Sequence, residues 1–154
     1  MSYREGLNLH SNTHTYVGIN YIADGCHFLV ELDMRACLCI SKIGRLGEGC
    51  PFLEDVNLFH CQNVDNEALL RIVAIPSLRR LNIFGVRFAR ESLLNAIIAG
   101  TNLRKVVMGC NKITDTAMEV FRQKRPDIQL SLRLLSAIHA KKDRKKRGQK
   151  EQNQ

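Results

Sequence analysis

One apolar phrase recurs along this chain every 24 or 25 residues, and such self-similarity restricts a sequence to architectures built by stacking like units. The phrase is apolar-x-x-apolar-x-apolar. It reads LVELDMRAC from Leu29, LEDVNLFHC from Leu53, LRRLNIFGV from Leu78 and LRKVVMGCN from Leu103. Pro51, Pro76, Thr101 and Pro126 keep step at 25-residue intervals. An earlier partial copy, GLNLHSN, places Leu7, Leu9 and Asn12 in the same pattern, and a frayed last copy runs through Ile128, Leu130 and Leu132.

Each unit changes period midway. Its first part alternates, as a short strand with one buried face does, and its second part carries apolar residues at helical spacing. In VDNEALLRIVA the helical set is Ala68, Leu69, Ile72 and Val73; in ARESLLNAIIAG it is Leu93, Leu94, Ile97 and Ile98; in ITDTAMEVFRQK it is Ala117, Met118 and Phe121. Asp65 and Thr114 or Asp115 are residue types that cap helix N-termini. Glycines loosen the spacing in SKIGRLGEG and YVGINYIADG, so shorter or irregular turns are expected there.

Length and charge set further bounds. With 154 residues, 45% of them hydrophobic, the chain suffices for one domain with its own core. No run of eighteen apolar residues suits a membrane span, and MSYREGLNLHSN lacks the apolar block of a secretory signal. A cytoplasmic or nuclear location, with the six cysteines as thiols, is the expectation. The formal charge is +8, of which residues 141–154 carry +5. That end is read as a disordered basic tail, since nothing after Ala140 can bury apolar surface. Its Lys141, Lys142, Arg144, Lys145, Lys146 and Arg147 suit a nuclear-import signal, a contact with nucleic acid or another acidic surface, or a solubilising end.

The repeat resembles the cysteine-containing subtype of the leucine-rich repeat, in which a phrase like CP-x-L-x-x-L-x-L-x-x-C-x-x-ITD-x-A recurs. CPFLEDVNLFHCQNVDNEAL from Cys50 follows it, and TNLRKVVMGCNKITDTAM from Thr101 follows it in part. The likeness covers roughly residues 5–132 and is similar to the repeat regions of F-box/leucine-rich-repeat substrate receptors and of F-box-lacking proteins akin to the antagonist of mitotic exit network. It implies an α/β solenoid, a fragment of a right-handed horseshoe, with parallel strands on the concave face and helices on the convex face. Residues 1–132 would form the repeat domain, with about five repeats, and 133–154 the C-terminal end with its basic tail. Val86 stands where a cysteine is expected, and Cys110 comes one place early. No stretch is left over for an F-box, and the chain opens with half a repeat under way, so its N-terminal edge needs a partner or further chain to cover it.

The cysteines follow the repeat and do not converge as zinc ligands would. Cys37 and Cys61 are expected one above the other after the strand, each filling a small buried slot and offering its S–H to a backbone carbonyl, with Cys26 and Cys50 placed likewise at the start of the unit. Cys37-x-Cys39 and His60-Cys61 are the remaining metal alternative. There is no GxGxxG, P-loop, HExxH or GxSxG, and Gly44, Gly47 and Gly49 lack the Lys-Ser/Thr that would hold phosphates. The reading is a non-enzyme without cofactor or metal.

A stacked solenoid offers its concave face, where the residues between the apolar positions lie. They are Val30, Glu31, Asp33 and Arg35; Glu54, Asp55, Asn57 and Phe59; Arg79, Arg80, Asn82 and Phe84; and Arg104, Lys105 and Val107. Charge changes sign along this series, which predicts a bipolar face. Phe59 and Phe84 share a phase at the boundary, either as anchors for a partner or packed on each other. The leading function is a protein-interaction receptor or adaptor binding a partner protein here. The alternatives are association with nucleic acid through Arg79, Arg80, Arg104, Lys105 and the tail, and a role in assembling a larger complex, by resemblance to small mitochondrial repeat proteins related to ATP synthase coupling factor B.

The repeat alignment places Val56 and Leu81 on the buried side of their strands. Replacing either with Asp would bury an unpaired charge, at a cost of several kcal/mol. Either variant is expected to lose its cooperative thermal transition by circular dichroism.

Overall fold

A computed structural model of the chain describes residues 5–9, 16–109 and 112–132. Strands and helices alternate along it: β1 (Glu5–Asn8), α1 (Tyr16–Gly25), β2 (Leu29–Asp33), α2 (Leu46–Gly49), β3 (Asp55–Asn57), α3 (Asn66–Val73), β4 (Arg80–Asn82), α4 (Glu91–Gly100), β5 (Lys105–Val107), α5 (Asp115–Lys124) and β6 (Gln129–Ser131). Among the described residues the six strands form one parallel sheet in sequence order. This strand-then-helix stack is the one the periodicity implies, and it has the α/β solenoid form that the resemblance to the leucine-rich repeat implies.

The register is the one the apolar phrase dictates. Leu32, Val56, Leu81, Val106 and Leu130 are mutual strand partners, and so are Glu31, Asp55, Arg80, Lys105 and Gln129. Leu29, Leu53, Leu78 and Leu103 form a second buried column, and Met34, Leu58, Ile83 and Met108 a third. Three-residue strands supply few ladder bonds, so the pairing continues into the turns that follow. Met34 N–H donates to the Asn57 carbonyl, Leu58 N–H to Asn82 and Ile83 N–H to Val107, at 2.8–2.9 Å. Among the described residues the main contacts between strands, and between helices, run from each unit to the next.

The helices cover the other side of the core. Asp65 accepts from Ala68 N–H at 2.7 Å and Thr114 from Ala117 N–H at 3.2 Å, so both act as the expected N-caps. Arg90 at the head of α4 has no capping side chain of its own, and Asn66 of the preceding unit accepts its N–H at 3.0 Å instead. Ala68, Leu69, Ile72 and Val73 are buried, as are Leu93, Leu94, Ile97, Met118 and Phe121.

The two glycine-containing segments part company. SKIGRLGEG yields only the single turn α2, as expected, but YVGINYIADG forms the ten-residue α1. The expectation of an irregular segment there is corrected. Ile19 and Ala23, one turn apart, are buried in the core, and that packing outweighs the low helix propensity of Gly18. Gly49 matters for a different reason. A Cβ there would overlap the Ala23 carbonyl oxygen, so the missing side chain is what lets α2 approach α1. Asn12, Cys110 and the basic tail lie outside the described residues.

Gly49→Ala is therefore expected to lower stability by about 1–3 kcal/mol, the usual cost of overpacking. Urea denaturation should show a lower midpoint with an unchanged slope.

Candidate interaction face

The face of the sheet opposite the helices is built from the strand positions between the buried columns. Glu31, Asp55, Arg80 and Lys105 lie in one row, and Asp33, Asn57, Asn82 and Val107 in the next. Val30, Glu54, Arg79 and Arg104 precede them, linked by backbone bonds from Glu54 N–H to Val30, Arg79 N–H to Glu54 and Arg104 N–H to Arg79. The sequence-predicted face residues are thus brought together on adjacent strands.

Their side chains are less separated by sign than expected. The Arg80 guanidinium donates to the Asp55 carboxylate at 2.6 Å and lies 3.8 Å from Glu31, so the boundary between acidic and basic halves is an ion-paired seam. Asp55, bound to this guanidinium, pushes the Arg80 pKa above its ordinary value. Arg35 pairs with Asp33 at 3.0 Å, and Arg79 reaches along the loop to the Asn102 carbonyl at 3.1 Å. Arg104 is exposed and Lys105 half-buried. Two shallow depressions mark the face: one of about 370 Å³ over β1–β3, holding Glu31, Asp33 and Asp55, and one of about 180 Å³ over β3–β5, holding Asp55, Arg80 and Lys105.

Three of the polar face residues also shape the chain locally. The side chains of Asp33, Asn57 and Asn82 each accept the backbone N–H two residues on, from Arg35, Phe59 and Phe84, at 3.1–3.2 Å. These turns hold the chain as it leaves the strand, just before Ala36, His60 and Gly85, all of which take left-handed backbone angles. The recurrence of Asp or Asn at one phase is the signal that could have revealed them.

The phenylalanine expectation divides. Phe59 and Phe84 stack with ring centroids 5.4 Å apart and planes 16° apart, and the His60 ring meets both edge-on. Phe84 is only 1% exposed, so it is not presented to a partner. Its phase does point it outward, but neighbouring rings cover it, which is the packing alternative. Another aromatic pair, unnoticed in the sequence, is the exposed one: Phe28 and Phe52, 24 residues apart at the turns entering β2 and β3, stack at 6.0 Å.

The cysteines hold units together. Cys61 Sγ donates to the Met34 carbonyl at 2.8 Å and Cys37 Sγ to that of Leu9 at 3.1 Å, each reaching the preceding unit. Burial pushes the Cys61 thiol up to about 12 and the Cys50 thiol up to about 11. Cys26 is only half-buried. Cys37 is buried and Cys39 exposed, which separates the pair considered as ligands, and no group of three metal-ligating side chains occurs among the described residues. No described helix is long and apolar enough to cross a membrane.

Known proteins share this geometry and parts of this sequence. The Leucine Rich repeat family profile matches residues 101–121. Putative F-box/LRR-repeat protein 22 of Arabidopsis thaliana is 44% identical over 57 residues, and putative F-box/LRR-repeat protein 21 of the same plant is 46% identical over 44. These matches cover 37% and 29% of this chain but 18% and 14% of the relatives, so the chain matches less than a fifth of their length. A chain from the crystal structure of the Rad7 and Elc1 complex in yeast superposes with a TM-score of 0.69 at 20% identity, over 83% of this chain and 33% of that one. The chain has the leucine-rich-repeat fold, and its repeats resemble those of F-box/LRR-repeat proteins. The fold is one generally used for interaction and not for catalysis.

The buried thiols predict a pH dependence. Their folded pKa values lie above the unfolded value near 9, so the native state holds protons that the unfolded chain releases. Stability should be fully present below pH 9 and fall from there up to about 11 for Cys50 and about 12 for Cys61, by up to about 1.4 kcal/mol per pH unit for each thiol. Urea denaturation across that range should show a shallower loss in a Cys50→Ala/Cys61→Ala variant.

Proposed function

We propose that the chain is a non-enzymatic protein-interaction module, a receptor or adaptor that holds a partner protein against the open face of its sheet. The observation that carries this is the aligned row Glu31, Asp55, Arg80 and Lys105, a rigid polar surface spanning four strands. A face set on short, backbone-locked strands loses little freedom when it binds, which favours affinity without large conformational change. Glu54, Asn57, Arg79, Asn82 and Arg104 complete the contact surface, with the exposed Phe28–Phe52 pair at its edge supplying apolar area. The likeness to F-box/LRR-repeat proteins supports a place in ubiquitin-ligase substrate recognition, in the cytoplasm or nucleus. The Rad7 and Elc1 complex is a precedent for a chain of this fold assembling with another protein. Nucleic-acid association is less favoured, because Arg80 is tied to Asp55 and Glu31 beside the phosphate-binding position it would need.

Reversing both ends of the row, with Glu31→Lys and Lys105→Glu, tests this reading. Affinity capture from nuclease-treated lysate should lose its specific partners about tenfold or more, while the melting temperature stays within a few degrees. Undiminished capture by this variant would remove the open face from the function.

A further inference from the structure

We propose that the depression over β3–β5 seats a carboxylate side chain from an acidic segment of the partner protein, held by Lys105 and Asn82, with Arg79 and Arg104 receiving the acids beside it. The proposal rests on the reading of this face as the binding face, and it names the chemistry that the partner must carry there.

The cations over β4 and β5 differ in what they already hold. Arg80 is committed to Asp55 at 2.6 Å and lies near Glu31. Lys105, its neighbour across the strands, is half-buried and meets no carboxylate within ion-pairing distance among the described residues. Arg79 gives its guanidinium to the neutral Asn102 carbonyl at 3.1 Å. Arg104, whose N–H donates to the Arg79 carbonyl, lies near Asp127, but Arg125 already binds that carboxylate at 2.8 Å. Glu54, on the β3 side, is partnered as well. Among the described residues no carboxylate is dedicated to Arg79, Arg104 or Lys105, three charges on strands about 4.8 Å apart.

The depression supplies the neutral donor that a carboxylate can use beside an ammonium. Asn82 lines it, and the Asn82 Oδ1 accepts the Phe84 N–H at 3.1 Å, which orients the amide and leaves its NH2 group to donate. Asn57, at the same phase one strand away, spends its NH2 on Asp33 at 3.4 Å, so this open donor belongs to β4. Lys105 has lost part of its water without gaining a counter-charge, a deficit that a bound carboxylate removes. Asp55 lines the same depression with its charge held by Arg80. A nucleic-acid backbone carries phosphates in an unbroken series and would run on from β4 and β5 onto Asp55 and Glu31, whereas a protein segment can place its acids over these two strands alone.

The test titrates the full ¹⁵N-labelled chain with acetylated, amidated hexaglutamate and follows its amide spectra at about 20 mM salt, where exposed charges are little screened. The backbone amides of β4 and β5 and the Asn82 side-chain NH2 should shift and saturate. Lys105→Gln should weaken that binding about fivefold or more, whereas Lys42→Gln, which removes the same charge beside α3, should leave it unchanged. Shifts confined to residues outside β4 and β5 would overturn the proposal, as would equal weakening by the two variants. Tighter binding of oligothymidylate than of hexaglutamate to the same amides would overturn it in favour of nucleic acid. Partner capture separates the two readings: hexaglutamate that leaves β4 and β5 untouched, with capture still dependent on Glu31 and Lys105, defeats this inference alone, whereas peptide docking with capture indifferent to the face defeats the proposed function.

Discussion

Three buried columns crossing the stack are what every other feature depends on. Leu29, Leu53, Leu78 and Leu103 form the first, Leu32, Val56, Leu81 and Val106 the second, and Met34, Leu58, Ile83 and Met108 the third. A lone strand of three residues with one short helix could not bury its own apolar side, so each unit is stable only against its neighbours. Burying each such side chain contributes about 1.5–3 kcal/mol, and that repeated gain offsets the ordering of the long turns between strands and helices. The columns fix the ladder register, and the ladder then decides which side chains share the open face.

Precision at the turns follows from the same register. Cys37 and Cys61 donate backwards to the preceding unit while Asp33, Asn57 and Asn82 hold the chain locally. Ala36 and His60 accept left-handed angles that glycine adopts more readily, as Gly85 does at the same place. Backbone bonds from Ala36 to Phe59, His60 to Phe84 and Gly85 to Gly109 hold them there at 2.8–2.9 Å. Small local costs are thus met by a ladder that is identical in each unit.

The fold was legible because its information is periodic. The column residues, the strand phase and the caps at Asp65 and Thr114 could each be read from one segment and checked against the next. Residue-by-residue reading fell short where an outcome depended on a neighbouring unit. Gly18 suggested a broken segment, but Ile19 and Ala23 pack α1 into the core. Phe84 has an outward phase, yet Phe59 and His60 enclose it. Arg80 read as part of a basic half, while its nearest partner, Asp55, sits directly across on the adjoining strand. Asp33, Asn57 and Asn82 read as surface because alternation says nothing about side chains that turn back on their own backbone.

Contacts that run mainly between successive units also shape how such a molecule can change over evolutionary time. Duplicating one whole repeat would add a strand, a helix and a fresh row of outward side chains without requiring any existing column to be redesigned, provided that the apolar phrase is copied in step. Recognition could then be rewritten row by row through point substitutions while the interior stays constant. Growth by whole repeats would leave the buried columns, and the register they set, as they are.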